Sequence, residues 1–162
     1  VGNVEAYPSA AETSTTVAAS VCTGSDQWES DNSPATATQI LTSATTQVHN
    51  FCNPMAGSSG LNDQDWVRFI LPAGKTVFIR AEPQNNGASA ILQLYAADGS
   101  MLLREARPAT LGEGAFLFWT TAQEATLYLK VSPLDGRISG DGTTYQLFIL
   151  QGHPSYLSNV RR

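Results

Sequence analysis

From residue 45 onward the chain is dominated by short runs in which apolar and polar residues alternate. The run "TTQVHNF" (45–51) alternates, and "DWVRFIL" (65–71) places Trp66, Arg68 and Ile70 on one side with Val67, Phe69 and Leu71 on the other. Side chains of an extended chain point alternately to opposite faces, so this period of two predicts strands half-buried on a sheet. "VFIRAE", "ASAILQLYA", "MLLREAR", "GEGAFLFWT", "ATLYLKV" and "TTYQLFIL" continue the pattern. Residues 91–94 are expected to be central, and Leu127, Leu129 and Val131 alternate strictly.

Turn-forming residues punctuate these runs. "PAGKT" (72–76), "NNG" (85–87), "ADGS" (97–100) and "DGRISGDG" (135–142) separate successive strands. Asp98–Gly99 is the strongest hairpin signal, because such turns need positive φ. About eight strands with turns every 8–12 residues or so predict an antiparallel sandwich or barrel. One short helix is expected over 33–38, "SPATAT", with Ser33 as N-cap and Pro34 in the first turn. Residues 1–21 are rich in Ala, Ser and Thr and read as an extension or linker. Their "TSTTVAASV" has enough β-propensity to add a strand to a sheet. Residues 22–151 form the sandwich and 152–162 a C-terminal tail. No internal repeat is evident.

Composition narrows the setting. The chain has 162 residues, 42% of them apolar, which suits one domain with a sizeable core. Only 14% are charged, and Lys75 and Lys130 are the sole lysines. A surface built from Thr, Ser, Asn and Gln resembles that of a secreted protein. A net charge of −5 excludes a nucleic-acid binder that neutralises phosphates with clustered cations. No apolar run approaches the ~20 residues of a membrane helix. The chain opens on Val1 without a signal peptide, which fits a removed leader or a domain cut from something longer. Cys22 and Cys52 lack metal-type spacing and are either two buried thiols or a disulfide. The secreted-looking composition favours the disulfide, and with it an oxidising compartment.

Candidate chemistry is sparse. His49 sits in an alternating strand beside Phe51 and reads as a half-buried strand histidine, and His153 in "GHPS" as tail. No nucleophile motif is present, and nothing marks a cleft around Asp63 and Asp65 for paired acid–base work. No catalytic residue is assigned. Oxygen donors are better placed. "WESDNS" offers Glu29, Asp31 and Asn32, and "NDQD" offers Asn62, Asp63 and Asp65. If the two segments converge they supply enough oxygen for one Ca²⁺. Alternatively the first is a capping turn and the second a turn that opens a strand, since Asp and Asn favour both. Asp135 and Asp141 are weaker candidates, because their glycines suit a hairpin loop.

The order of these motifs resembles the bacterial pre-peptidase C-terminal domain family. An acidic segment (Glu29 to Ala37) is followed by a D-x-D-W strand (Asp63 to Phe69) and an Ala73–Gly74 turn. Then come an L-x-L-Y-x-x-D-G hairpin (Leu92 to Gly99), the strand Leu127 to Val131 and a closing Y-x-L (Tyr145 to Leu147). The resemblance covers residues 22–150 and implies an all-β, antiparallel, jelly-roll-like β-sandwich in a secreted or cell-surface protein. Members with a cysteine before the acidic segment and another in "HNFC" are similar, which supports pairing Cys22 with Cys52. Some relatives, among them collagen-binding modules of clostridial collagenases, bind Ca²⁺ through these segments. Carried over by position, the calcium candidates are Glu29, Asp31, Asn32, Asn62, Asp63 and Asp65, with Gln27 standing where those relatives have another acid. Ligand binding in those relatives uses exposed aromatics, whereas Tyr95, Trp119, Tyr128, Tyr145 and Trp66 are expected to be buried here. The expected function is a non-catalytic extracellular module serving adhesion, binding or spacing. Its partners would be other domains of a parent protein or copies of itself, without nucleic acid or a membrane span. The alternative is a self-assembling subunit of an extracellular fibre or surface layer, built by N-terminal strand addition to a neighbour.

Overall fold

The alternating runs become two facing sheets. The computed structural model describes residues 22–42, 45–52, 63–85 and 88–152. The proposed N-terminal strand, Asn62, His153 and most of the tail lie outside them. The described residues form nine strands, β1 (Thr38–Gln39), β2 (Thr45–His49), β3 (Asp65–Leu71), β4 (Thr76–Pro83), β5 (Ala90–Tyr95), β6 (Leu102–Ala106), β7 (Ala115–Thr120), β8 (Ala125–Pro133) and β9 (Tyr145–Gly152). One sheet runs β1-β3-β8-β5-β6 and the other β2-β9-β4-β7. Every pair is antiparallel except β1 with β3, which is parallel. No helix among the described residues is long and apolar enough to cross a membrane.

The core lies between the sheets and follows the parity read from the sequence. Val67, Phe69 and Leu71 of β3, with Leu127, Leu129 and Val131 of β8, face Ile79 of β4 and Leu147 and Ile149 of β9, all buried. Each such side chain contributes roughly 1.5–3 kcal/mol of transfer free energy. Trp66, on the other side of β3, is also buried and packs on Tyr95 at 5.2 Å. Tyr145 is fully buried, whereas Tyr95 and Tyr128 are only half-buried because their strands turn them to the outer face, and Trp119, at the inward parity of Ala115 and Leu117, is half-buried against the core. On the outer face of the four-stranded sheet, Phe78 meets Phe118 at 5.0 Å, and Phe116 on the edge strand β7 is 60% exposed.

One expected element is corrected. The helix over 33–38 does not form. A single turn, closed by Thr36 N–H to the Ser33 carbonyl at 3.1 Å, gives way to β1 at Thr38. The β-branched Thr36 and Thr38 have low helix propensity, and pairing of Thr38 with Val67 and Gln39 with Arg68 offers the backbone a sheet partner instead. "PAGKT" is the expected turn, and it passes the chain from one sheet to the other.

The Asp98–Gly99 hairpin forms between β5 and β6. Asp98 Oδ1 accepts the N–H groups of Ser100 and Met101, each at 3.0 Å, and Gly99 adopts φ +67°. A Cβ on Gly99 would stand 2.7 Å from Cβ of Pro34, so the acidic loop is packed on this turn. Gly99→Ala is therefore expected to cost about 2 kcal/mol through the positive φ and the collision with Pro34. Urea denaturation measures this, and an unchanged midpoint would contradict the contact.

Candidate metal centre

Three chain segments meet at one end of the sandwich. Asp65 is the first residue of β3 and continues the inward parity of Val67 and Phe69, so its carboxylate points where a core side chain is expected. His49, at the end of β2, pairs in register with Tyr145, at the start of β9, in the opposite sheet. Asp65 Oδ2 accepts the Tyr145 hydroxyl at 2.5 Å and so joins the two sheets. The third segment is the acidic loop 22–37.

That loop is held at several points. Cys22 and Cys52 form a disulfide, at a sequence separation of 30. The Thr23 hydroxyl and N–H both donate to the Asp141 carboxylate, so Asp141 anchors the loop instead of serving as a ligand. Asp135 is likewise engaged, by Arg137 at 2.7 Å. Asp26 Oδ1 accepts Trp28 N–H at 2.8 Å and its Oδ2 accepts Asn50 N–H at 2.9 Å, which fastens the loop to the end of β2. The Trp28 indole donates to the Val48 carbonyl at 3.2 Å. The Asp31 carbonyl accepts Trp66 N–H at 3.0 Å, and Asn32 Oδ1 accepts Gln64 N–H at 3.2 Å. These last two bonds bring the two acidic segments of the sequence side by side.

Their carboxylates converge. One ligand atom each from Glu29, Asp63 and Asp65 lies within 4.8 Å of the others, and the same holds for Asp26, His49 and Asp65. Asp31, Asp63 and Asp65 are no more than 1% exposed. Buried and without a hydrogen-bond partner are Glu29 Oε1, both Asp31 oxygens, Asp63 Oδ2 and Asp65 Oδ1. No lysine or arginine among the described residues pairs with any of these acids. Native proteins satisfy nearly all buried polar atoms, so orphans this concentrated need a reason.

The electrostatics follow. Burial, then the negative charges of Glu29, Asp26 and Asp63, pushes the Asp31 carboxyl up to about 8. Burial and Glu29 push Asp63 to about 7. Asp65 is raised well above the usual carboxylate range by burial and by Asp31 and Asp63, against the opposing Tyr145 hydrogen bond. Glu29 is raised by burial and Asp26. Burial lowers His49 to about 4, although Asp26 opposes it. Repelling carboxylates with no cationic side chain are favourably ionised only next to a cation of another source. An all-oxygen donor set suits a hard divalent ion.

Of the six residues expected to bind calcium, Glu29, Asp63 and Asp65 each bring a carboxylate oxygen within 4.8 Å of the others, while Asp31 lies buried nearby without joining that set. Asn32 is present but differently employed. Its Nδ2 donates to Glu29 Oε2 at 3.2 Å and its Oδ1 is taken by Gln64, so it clamps the loop. Asp26, His49 and Tyr145 were not anticipated as site residues, and His49 is fully rather than half-buried. The available signal was parity. Asp65, His49 and Tyr145 occupy the inward positions of their strands beside Val67, Phe51 and Leu147.

The sequence matches no protein-family profile and no curated protein. Solved structures similar to it include a collagenase domain, a lysozyme inhibitor and a copper-binding protein. One is the pre-peptidase C-terminal domain of a Bacillus anthracis collagenase, with 14% identity over 72% of this chain and 94% of that one, at a TM-score of 0.47. Another is PliG of Aeromonas hydrophila, a periplasmic inhibitor of g-type lysozyme, with 11% identity over 72% and 97% and a TM-score of 0.43. The third is CorA of Methylomicrobium album BG8, a surface-associated copper-binding protein, with 12% identity over 73% and 98% and a TM-score of 0.43.

Proposed function

We propose that this chain is a non-catalytic β-sandwich module of an extracellular or cell-surface protein, serving adhesion, binding or spacing, with its acidic loop locked by Ca²⁺. The observation that carries the reading is the set of buried, unpartnered carboxylate oxygens of Glu29, Asp31, Asp63 and Asp65 at the junction of loop and sandwich. Calcium takes six to eight oxygens in irregular arrays and tolerates water among them, as a cluster made from two turns requires. The role of the ion is structural. It joins the loop to β3, the strand that also pairs with β1 and β8. The disulfide between Cys22 and Cys52 supports an oxidising compartment. The carboxylates are buried against one another and lack a neighbouring thiol, since both cysteines are paired. That arrangement favours a structural site over acid–base work on a substrate. Partners are other domains of a parent protein or further copies of the chain.

Titration calorimetry on metal-depleted protein tests the proposal. One Ca²⁺ per chain is expected, with Asp63→Asn weakening it at least ~10-fold, about 1.4 kcal/mol. An absence of binding heat together with no retained ⁴⁵Ca²⁺ on dialysis would remove the calcium lock.

A further inference from the structure

His49 is not explained by the calcium cluster. Its Nε2 lies 3.1 Å from Oε1 of the buried Gln47. With the Gln47 amide oriented to present Oε1, which only accepts, Nε2 carries the ring proton and Nδ1 presents a lone pair. That lone pair is fully buried, has no hydrogen-bond partner, and faces Asp26 Oδ2 at 3.6 Å and Asp65 Oδ1 at 3.8 Å. A nitrogen lone pair directed at two carboxylates is a repulsive arrangement. A core histidine kept for packing would instead have both ring nitrogens engaged.

We propose that Asp26, His49 and Asp65 form a second cation position, beside the calcium cluster, for a divalent ion of the Zn²⁺ class that accepts imidazole nitrogen. Three features support this beyond the orphaned nitrogen. Ligands at the ~2.0–2.1 Å bond lengths of such ions stand roughly 3–4 Å apart, which matches the two distances, whereas a hydrogen bond does not reach so far. The imidazole is stacked between Trp28 at 5.9 Å and Tyr145 at 5.4 Å, so its aim is set before any ion arrives. Gln47 holds the ligating tautomer, as the outer partner of a metal-bound histidine commonly does. Asp26 is oriented by the Trp28 and Asn50 N–H groups and Asp65 by the Tyr145 hydroxyl, which leaves Asp65 Oδ1 without a partner. Three protein ligands leave further coordination positions for water or for a donor from another molecule. The proposal does not rest on the calcium reading, although Asp65 belongs to both clusters.

Co²⁺ is the probe, because its visible bands report coordination directly. Metal-depleted protein saturated with Ca²⁺ is titrated with Co²⁺, and bound Ca²⁺ is counted in the same sample. One equivalent of Co²⁺ with retained Ca²⁺, displaced by Zn²⁺, is the expected result. His49→Gln and Asp26→Asn should each lower Co²⁺ affinity at least ~10-fold without loss of Ca²⁺. His49 is part of the packed interior, so ¹⁵N chemical shifts of the wild-type imidazole give a second reading. Zn²⁺ should move the Nδ1 resonance and leave Nε2 protonated. No Co²⁺ binding, equal binding by both variants, or one-for-one displacement of Ca²⁺ with an unmoved Nδ1 resonance overturns the proposal. Failure of the calcium lock would show separately as missing Ca²⁺ before any Co²⁺ is added.

Discussion

Ca²⁺ at a hundredfold excess over its Kd is expected to stabilise the metal-depleted protein by about 2.7 kcal/mol at pH 8. For a chain of this size that corresponds to a rise in Tm of roughly 5–10 °C. The effect should depend on pH in a defined direction. Asp31 and Asp63 are raised to about 8 and about 7 from the ordinary 3.8. Between about pH 4 and 8 the metal-free folded chain thus holds protons that the unfolded chain has released. Stability contributed by groups with raised carboxyl pKa values is present below the unfolded value and is lost as pH rises through the folded one. The metal-free protein should accordingly melt progressively lower from pH 5 to pH 8. Ca²⁺ binds the ionised carboxylates, so its stabilising effect should be small at pH 5 and largest at pH 8.

Asp31→Asn makes the same point by a crossover. At pH 8, where Asp31 is partly ionised without metal, removing its charge relieves repulsion by Glu29, Asp26 and Asp63, so the variant should there melt above wild type without Ca²⁺ and below it with Ca²⁺. Scanning calorimetry at both pH values decides the matter. Coincident melting curves with and without Ca²⁺ at pH 8, or a variant that melts lower in both conditions, would count against the site.

Removing the disulfide should produce an effect of similar size. With Cys22 and Cys52 at a sequence separation of 30, the chain-entropy model assigns about 3–4 kcal/mol to the cross-link. The double variant Cys22→Ala/Cys52→Ala is expected to lose that much in urea denaturation. It should also bind Ca²⁺ more weakly, because the disulfide anchors the start of the loop that carries Glu29 and Asp31. A variant with the wild-type urea midpoint would show that the hydrogen bonds donated by Thr23 to Asp141 and by Asn50 to Asp26 hold the loop without the bridge.

Much of the sandwich could be read along the chain because strand formation and core assignment are local and periodic. Val67, Phe69 and Leu71, or Leu127, Leu129 and Val131, declare their face by parity alone, and Asp98–Gly99 declares its hairpin by the φ it needs. The misread helix at 33–38 shows the limit of that logic. Ser33 and Pro34 have the local chemistry of a helix start, but the parallel partner for Thr38 lies 29 residues away on β3, at Val67. A propensity of a few tenths of a kcal/mol per residue yields to a sheet edge.

The same division runs through the site. Composition and motif order determined a charge-poor all-β module, the two acidic segments and the cysteine pair as candidates. Whether the loop of Glu29 and Asp31 lies beside Asp63 and Asp65 depended on the bonds that Trp66 N–H gives to the Asp31 carbonyl and Gln64 N–H to the Asn32 side chain, each more than 30 positions earlier. Only the facing of the two sheets could put His49 of one beside Asp65 of the other. Burial then changed the chemistry of these side chains. In water an aspartate is an anion and a histidine is a mild base. In a wall-less turn they would remain so. At the closed end of a sandwich their charges lose solvent and face one another, which raises the carboxyl pKa values of Asp31 and Asp63 and lowers that of His49.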